Sequence, residues 1–359
     1  MGDGFTAALE YGPSPGSLVL RRARVVAVTS GTVDGWKCDL ELLEGPLRGE
    51  VVTGLFYREF GRPPETGEVV TANTVGVEMG LGTGGVAPVL PGPPRGAEPD
   101  APENANHFVK LPYTPLQFPA VPPEQATDLV GAPLIVLPLH SQLAPACCAA
   151  ADLWPDCRVS FVWQEGGALP GTFSDAVRDL KEKRLLGAVV SSGNCFGGDV
   201  EAPNIYSGLL AAAAMSDVIF VGIGPGVTGT ATPYGHGGMA AATALNAAHA
   251  LGAEPVLAPR ISEADPRPRH RGVSHHTRAV LEMALGGCRV AFPAAYDEVS
   301  PEELPPRHSY ERVAYGAGGL EDRFGVIFQS MGRSYKEDPF FFETAAAAVM
   351  LALGQREAG

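Results

Sequence analysis

The sequence predicts an α/β protein: a parallel, Rossmann-like three-layer sheet domain preceded by a small antiparallel β-barrel domain. Three observations predict it. Residues 18–90 hold short runs rich in Val, Leu and Thr between Gly and Pro turns, with no helix-length periodic segment. From about residue 132, strand-length apolar runs alternate with helix-length segments. Those runs are apolar at nearly every position, the mark of parallel strands covered on both faces.

The barrel strands are read at Leu18–Val28, Trp36–Leu43, Glu50–Phe56 and Glu68–Thr74. Closing them on themselves removes exposed strand edges. The loop Gly80-Leu-Gly-Thr-Gly-Gly85 stands at the end of this unit. The barrel domain is placed at 1–91, a Pro- and Gly-rich linker at 92–108, and the α/β domain at 109–359. Its strands are read at Pro133–Pro138, Arg158–Trp163, Ala188–Ser192, Asp217–Ile223, Pro255–Ala258 and Arg289–Phe292. Its helices are read at Ala144–Leu153, Phe173–Leu185, Asn204–Met215, Gly238–Leu251 and Ser274–Leu285. Residues 293–309 form an acidic, Pro-rich excursion. A strand at Phe324–Gln329 and a helix at Phe342–Leu353 complete the chain.

Composition narrows the function classes. The chain has 359 residues, 45% of them hydrophobic and 18% charged, which is globular and not disordered. Its net charge of −14 argues against a nucleic-acid or anionic-membrane partner. The longest apolar stretch, Gly208–Gly226, is broken by Asp217 and reads as a buried helix followed by a buried strand. No secretory leader is predicted. Six cysteines without zinc-like CxxC pairs make a reducing cytoplasm the expected location.

In an open parallel sheet, ligands bind at the carboxyl ends of the strands. Those ends carry the unusual residues: His140 after the first strand, Glu165 after the second, Asp199 and Glu201 after the third. The fourth is followed by a glycine loop running to His236. After the fifth, residues 260–278 hold five arginines and three histidines against two acidic residues. Guanidinium forks bind carboxylate or phosphate in bidentate fashion. His275 and His276 fall in the first turn of the next helix, where free N–H groups also favour an anion. The candidate catalytic residues are therefore His270, His275, His276, Asp199 and Glu201. The candidate anion-binding residues are Arg267, Arg269 and Arg271, with Gly224, Gly226, Thr228, Gly229 and Thr230 of the glycine loop.

Each reading has a plainer competitor. The arginines also suit pairing with acidic neighbours or a subunit contact. Asp199 also suits capping of the following helix. Gly224-Pro-Gly-Val-Thr-Gly229 is formally a GxGxxG, but it follows the fourth strand and has no acidic residue about 20 positions on, so no dinucleotide cofactor is assigned. Metal stays open. Asp199, Glu201 and Glu165 could hold a divalent cation, whereas arginines disfavour one beside His270, His275 and His276. Gly193-Asn-Cys195-Phe-Gly197 matches a nucleophile elbow, which opens a Cys195-dependent hydrolase or amidase activated by His236, His270, His275 or His276. Lys110 is read as folding the linker back over the sheet rim.

The runs Asn73–Gly85, Gly197–Asn204, Gly224–Thr230 and Arg269–His276 resemble a bacterial family known as a domain of unknown function, DUF3866. The resemblance spans nearly the whole chain. It implies a cytoplasmic bacterial protein and transfers no catalytic role to any residue. The residues themselves point to an enzyme acting on a small anionic metabolite, phosphorylated or carboxylated. The competing reading is a non-catalytic anion sensor or oligomeric interaction module. A homodimer is expected from the Ala- and Gly-rich helices.

Overall fold

The computed structural model describes residues 19–354, apart from 33–34, 63, 79, 81–84, 91–107, 113, 115, 168–173, 231 and 299–300. The Gly80–Gly85 loop and the linker therefore lie mostly outside the described residues. The chain divides into two compact units at the boundary between residues 100 and 101.

The first unit is a curled sheet of β1 (Leu20–Thr32), β2 (Gly35–Leu42), β3 (Val51–Tyr57), β4 (Val69–Asn73) and β5 (Val86–Pro88), in the order β4-β1-β2-β3-β5. All pairs are antiparallel except β3 with β5. A bridge between Ala72 and Val89 brings the two edges together, so the sheet curls into a small barrel. Register shifts after Val25 and Val28 help β1 to bend. Alternate residues point inward, with Ala23, Val25, Cys38, Leu40 and Leu42 in the core. The one α-helix among the described residues of this unit is a single turn, α1 (Val75–Glu78).

The second unit opens on a short hairpin, β6 (Val109–Lys110) with β7 (Phe118–Pro119). An eight-stranded sheet follows. Its strands are β8 (Leu134–Leu137), β9 (Val159–Gln164), β10 (Ala188–Ser192), β11 (Val200–Ala202), β12 (Val218–Ile223), β13 (Val256–Leu257), β16 (Arg289–Pro293) and β17 (Ser309–Val313). All pair in parallel, in the order β11-β10-β9-β12-β8-β13-β16-β17. The hairpin β14 (Ile261–Ser262) with β15 (Gly272–Val273) interrupts the sequence, and β18 (Gln329–Ser330) with β19 (Arg333–Ser334) follows it.

Successive strand residues feed opposite cores. Ile135, Leu137, Phe161 and Trp163 pack beneath α2 (Leu143–Leu153), α3 (Asp175–Glu182), α7 (Leu320–Phe324) and α8 (Pro339–Leu353). Leu134, Val136 and Val162 pack beneath α4 (Ile205–Met215), α5 (Ala240–Ala250) and α6 (His275–Met283). The chain thus leaves β8 and β9 towards one face and β12 and β13 towards the other. These four strands are neighbours, so their carboxyl ends border the crevice of a topological switch point. Among the described residues, no helix is long and apolar enough to cross a membrane.

Two readings change. Ser309–Val313, where the sequence predicted no strand, adds an edge strand beside β16. Phe324–Gln329 is not a strand: Gly325 ends α7 in a left-handed conformation, and only Gln329–Ser330 pairs. The alternation of Phe324, Val326 and Phe328 misleads because Val326 and Phe328 are buried as anchors of an irregular segment, with the Phe328 N–H bonded to the Glu321 carboxylate.

Candidate functional site

The loop after β12 is built to present one histidine. The Thr230 N–H donates to the Gly235 carbonyl at 2.7 Å and the Gly237 N–H to the Thr228 carbonyl at 2.9 Å, closing a turn that ends at His236. Glycine is needed where the loop after β9 passes it. A Cβ on Gly167 would collide with the Gly224 carbonyl, and one on Gly237 with the Gly166 carbonyl. Gly226 adopts a left-handed φ of 80°. Thr228, Gly229 and Thr230 form the turn itself, and the Thr230 hydroxyl bonds the Gly235 carbonyl and Thr232. Gly224, Gly229 and their neighbours thus have packing reasons of their own.

The loop after β13 presents three more histidines. Ile261 pairs with Val273 and Ser262 with Gly272, so residues 263–271 are held as the loop of a hairpin. His270 is buried at its end, with Nδ1 2.8 Å from the Ser274 hydroxyl. Ser274 caps α6, and its oxygen accepts the His276 N–H. His275 and His276 are the first residues of α6, where the sequence places them.

The four rings form one cluster. Ring centroids of His275 and His276 lie 4.3 Å apart, and His270 is 4.9 Å and 4.8 Å from them. His236 stacks on His276 at 3.6 Å with planes 11° apart. Burial, reinforced by neighbouring guanidinium and imidazole groups, pulls all four below the usual imidazole range, His270 to about 3 and His276 to about 2. They are therefore neutral at neutral pH. The buried Nε2 of His275 meets no hydrogen-bond partner among the described residues, nor does either ring nitrogen of His236 at hydrogen-bonding geometry.

The arginines divide into two sets. Asp265 is wholly buried, and both of its oxygens accept from Arg267 at 2.9 Å. The Arg260 guanidinium, itself buried, adds a third bond at 2.9 Å, and Arg333 lies 3.7 Å away. Burial alone would raise the Asp265 carboxyl, but the hydrogen bonds and charge of Arg267 carry it far below its ordinary range. Arg333 also pairs with Asp338, which accepts from the Ser262 hydroxyl. By contrast, Arg269 and Arg271 are exposed and make no ion pair among the described residues. Arg269 does place its Nε 3.4 Å from His270 Nε2.

The carboxylates after β10 stand apart. Asp199 accepts from Lys181 at 2.6 Å and from the Val189 N–H at 2.7 Å. It does not cap α4; Asn204 does, accepting the Ser207 N–H at 3.0 Å, because Asn204 sits directly before the helix. Glu201 pairs with the buried Lys110 at 3.0 Å and accepts the Gly197 N–H. Lys110 also bonds the Ser191 and Ala202 carbonyls, so it does tie its segment to the sheet rim. No hydrogen bond or ion pair among the described residues links Asp199 or Glu201 to the imidazoles.

Cys195 gains no activation. Burial and the nearby Glu165 raise its thiol to about 12, and it makes no hydrogen bond to a histidine among the described residues. The sequence offered His236 beside His270, His275 and His276 only as an activator of Cys195 and left it out of the candidate catalytic residues. Their meeting depends on β8 lying between β12 and β13, an ordering no local pattern announces.

No curated protein and no solved structure matches the chain. Residues 53–349 match a family described as a protein of unknown function, DUF3866. That match covers most of the chain and carries the motifs that form this cluster, so the protein belongs to the DUF3866 family.

Proposed function

We propose that the protein is an enzyme acting on a small anionic metabolite, phosphorylated or carboxylated, at the crevice beside the histidine cluster. One observation carries the proposal: four neutral imidazoles converge at a topological switch point, with buried nitrogens left unpaired. A buried polar atom without a partner costs about 1–3 kcal/mol, a cost that folding alone does not explain. Neutral imidazoles keep lone pairs that can accept hydrogen bonds from a bound substrate. Arg269 and Arg271, exposed and without carboxylate partners among the described residues, are the guanidinium groups placed to orient an anion. Arg267 is committed to Asp265 and is left out of that role. Asp199 and Glu201 are committed to Lys181 and Lys110 and are left out of the chemistry.

The test is a thermal-shift panel of phosphate, sulfate, sugar phosphates, nucleotides and dicarboxylates, run on the wild type and on an Arg269→Ala/Arg271→Ala variant. A ligand at about 100 times its Kd stabilises the fold by about 2.7 kcal/mol. The expected result is a selective rise in Tm for the wild type that the variant loses while keeping its unliganded Tm. Silence across the panel, or an equal shift in the variant, overturns the proposal. A selective anion hit then names the compounds to assay for turnover.

A further inference from the structure

We infer that His270, His275 and His276 form a binding site for a divalent transition-metal ion. Each offers one ring nitrogen, and the three nitrogens lie within 4.8 Å of one another. Zinc–imidazole bonds of about 2.0–2.1 Å place two ligand nitrogens about 3.4 Å apart on a tetrahedral ion. Side-chain rotation of about an ångström closes that difference, and two of the three rings sit on the open first turn of α6.

The supports of a metal site are in place. His275 Nε2 is buried and meets no partner among the described residues, so this ring holds a donor atom already removed from water. His270 Nδ1 meets the Ser274 hydroxyl at 2.8 Å, which holds the ring, and the Arg269 Nε–H 3.4 Å from Nε2 leaves that nitrogen its lone pair. Arg269, which approaches that Nε2, is exposed and makes no ion pair among the described residues, so it can swing away. The chief objection is the cationic surroundings. It loses force because Arg260 and Arg267 face Asp265, and Arg333 faces Asp265 and Asp338.

The donor set selects the ion. Three imidazoles without a carboxylate suit zinc, cobalt, nickel or copper, and not magnesium or calcium. His236 is not a fourth ligand in this arrangement. Its ring is nearly parallel to that of His276, so an ion in the plane of one ring lies well outside the plane of the other. Three protein ligands leave a coordination position for water or for an oxygen of the substrate, the arrangement of a catalytic site. His236 stays beside the ion, free to accept a proton.

This inference goes beyond the anion-enzyme reading and stands without it, because metal uptake is measured with no substrate present. The full chain is stripped with chelator and titrated with Co²⁺ and Zn²⁺, following heat release and the visible Co²⁺ absorption. The expected result is saturation at one ion per chain with a band typical of nitrogen-ligated Co²⁺, and no competition from Mg²⁺. The variants are His275→Ala, at a half-buried position, and His270→Ala/His276→Ala. His249→Ala, in α5 outside the cluster, is the control. Both site variants lose the saturable uptake while the control keeps it. Ser274→Ala keeps all three ligands and weakens affinity by about 10–100-fold. Absence of saturable uptake by the wild type, undiminished uptake by folded His275→Ala, or equal competition from Mg²⁺ overturns the inference. Loss of the anion shift in Arg269→Ala/Arg271→Ala with metal uptake intact shows the two readings to be separate.

Discussion

Two groups of polar side chains stand on the carboxyl rim of one sheet and follow opposite rules. After β10 and β11 every carboxylate is answered: Asp199 by Lys181 and a backbone N–H, Glu201 by Lys110 and another. After β12 and β13 the buried carboxylate of Asp265 is also answered, by its arginines, but among the described residues the buried nitrogens of His236 and the Nε2 of His275 are not. The physics of burial explains the difference. An unpaired buried charge costs several kcal/mol, so a fold cannot keep one idle. An unpaired neutral imidazole costs less, so a binding site can hold one ready. Paired charges here brace the rim, and the unpaired nitrogens of His236 and His275 are what the proposed site rests on.

The largest effect that tests this contrast is at Lys110, whose side chain is 1% exposed. Lys110→Met leaves the Glu201 carboxylate without its cation and two carbonyls without their donor. Removing one partner of a buried pair costs about 3–5 kcal/mol, read as a lower urea midpoint. Lys110→Met/Glu201→Gln recovers part of it, because no lone charge remains. A single variant as stable as the wild type would break the contrast, since the rim pair would then not be scaffolding.

A middle-sized effect follows from the imidazoles. His236, His270, His275 and His276 titrate below the usual range when folded, as do the buried His140 and His308. Unfolded imidazoles take up protons as the pH falls through about 6.5. Between there and the lower folded values the unfolded chain binds more protons, so stability falls as pH falls and is level above about pH 7. Urea midpoints of the chelator-treated chain, taken from about pH 8 down to about pH 5, give the slope. His275→Gln/His276→Gln shows a shallower slope over that range. An unchanged slope means that these rings are not held neutral by the fold.

The fold was legible in the sequence because burial on both faces leaves a local trace. Ala188–Ser192 and Arg289–Phe292 read as strands from their own residues, and Gly and Pro mark where they stop. The edge strand Ser309–Val313 was not, because an edge exposes polar residues such as Glu311 and Arg312. The arginine and histidine content of residues 260–278 flagged the right loop. It could not say which arginines were already spent, because that depends on Asp265 and on Arg333, far along the chain. Local pattern reports burial and composition; pairing is decided by strand order and by residues distant in sequence.

The smallest expected effect lies at Asp199, and its smallness is informative. The sequence made this residue a candidate catalyst, whereas its bonds make it a brace between β10 and Lys181 of α3. Asp199→Asn keeps an oxygen for the Val189 N–H and removes the charge facing Lys181. The pair is partly exposed, at 28% and 40%, so water screens it and its loss costs about 0–1 kcal/mol. Metal uptake and anion shifts then match the wild type. A variant of normal stability that loses either one would return Asp199 to the site. It would also show that a fully bonded carboxylate on this rim can still serve a ligand, against the contrast drawn between Glu201 and the unpaired nitrogens of His236 and His275.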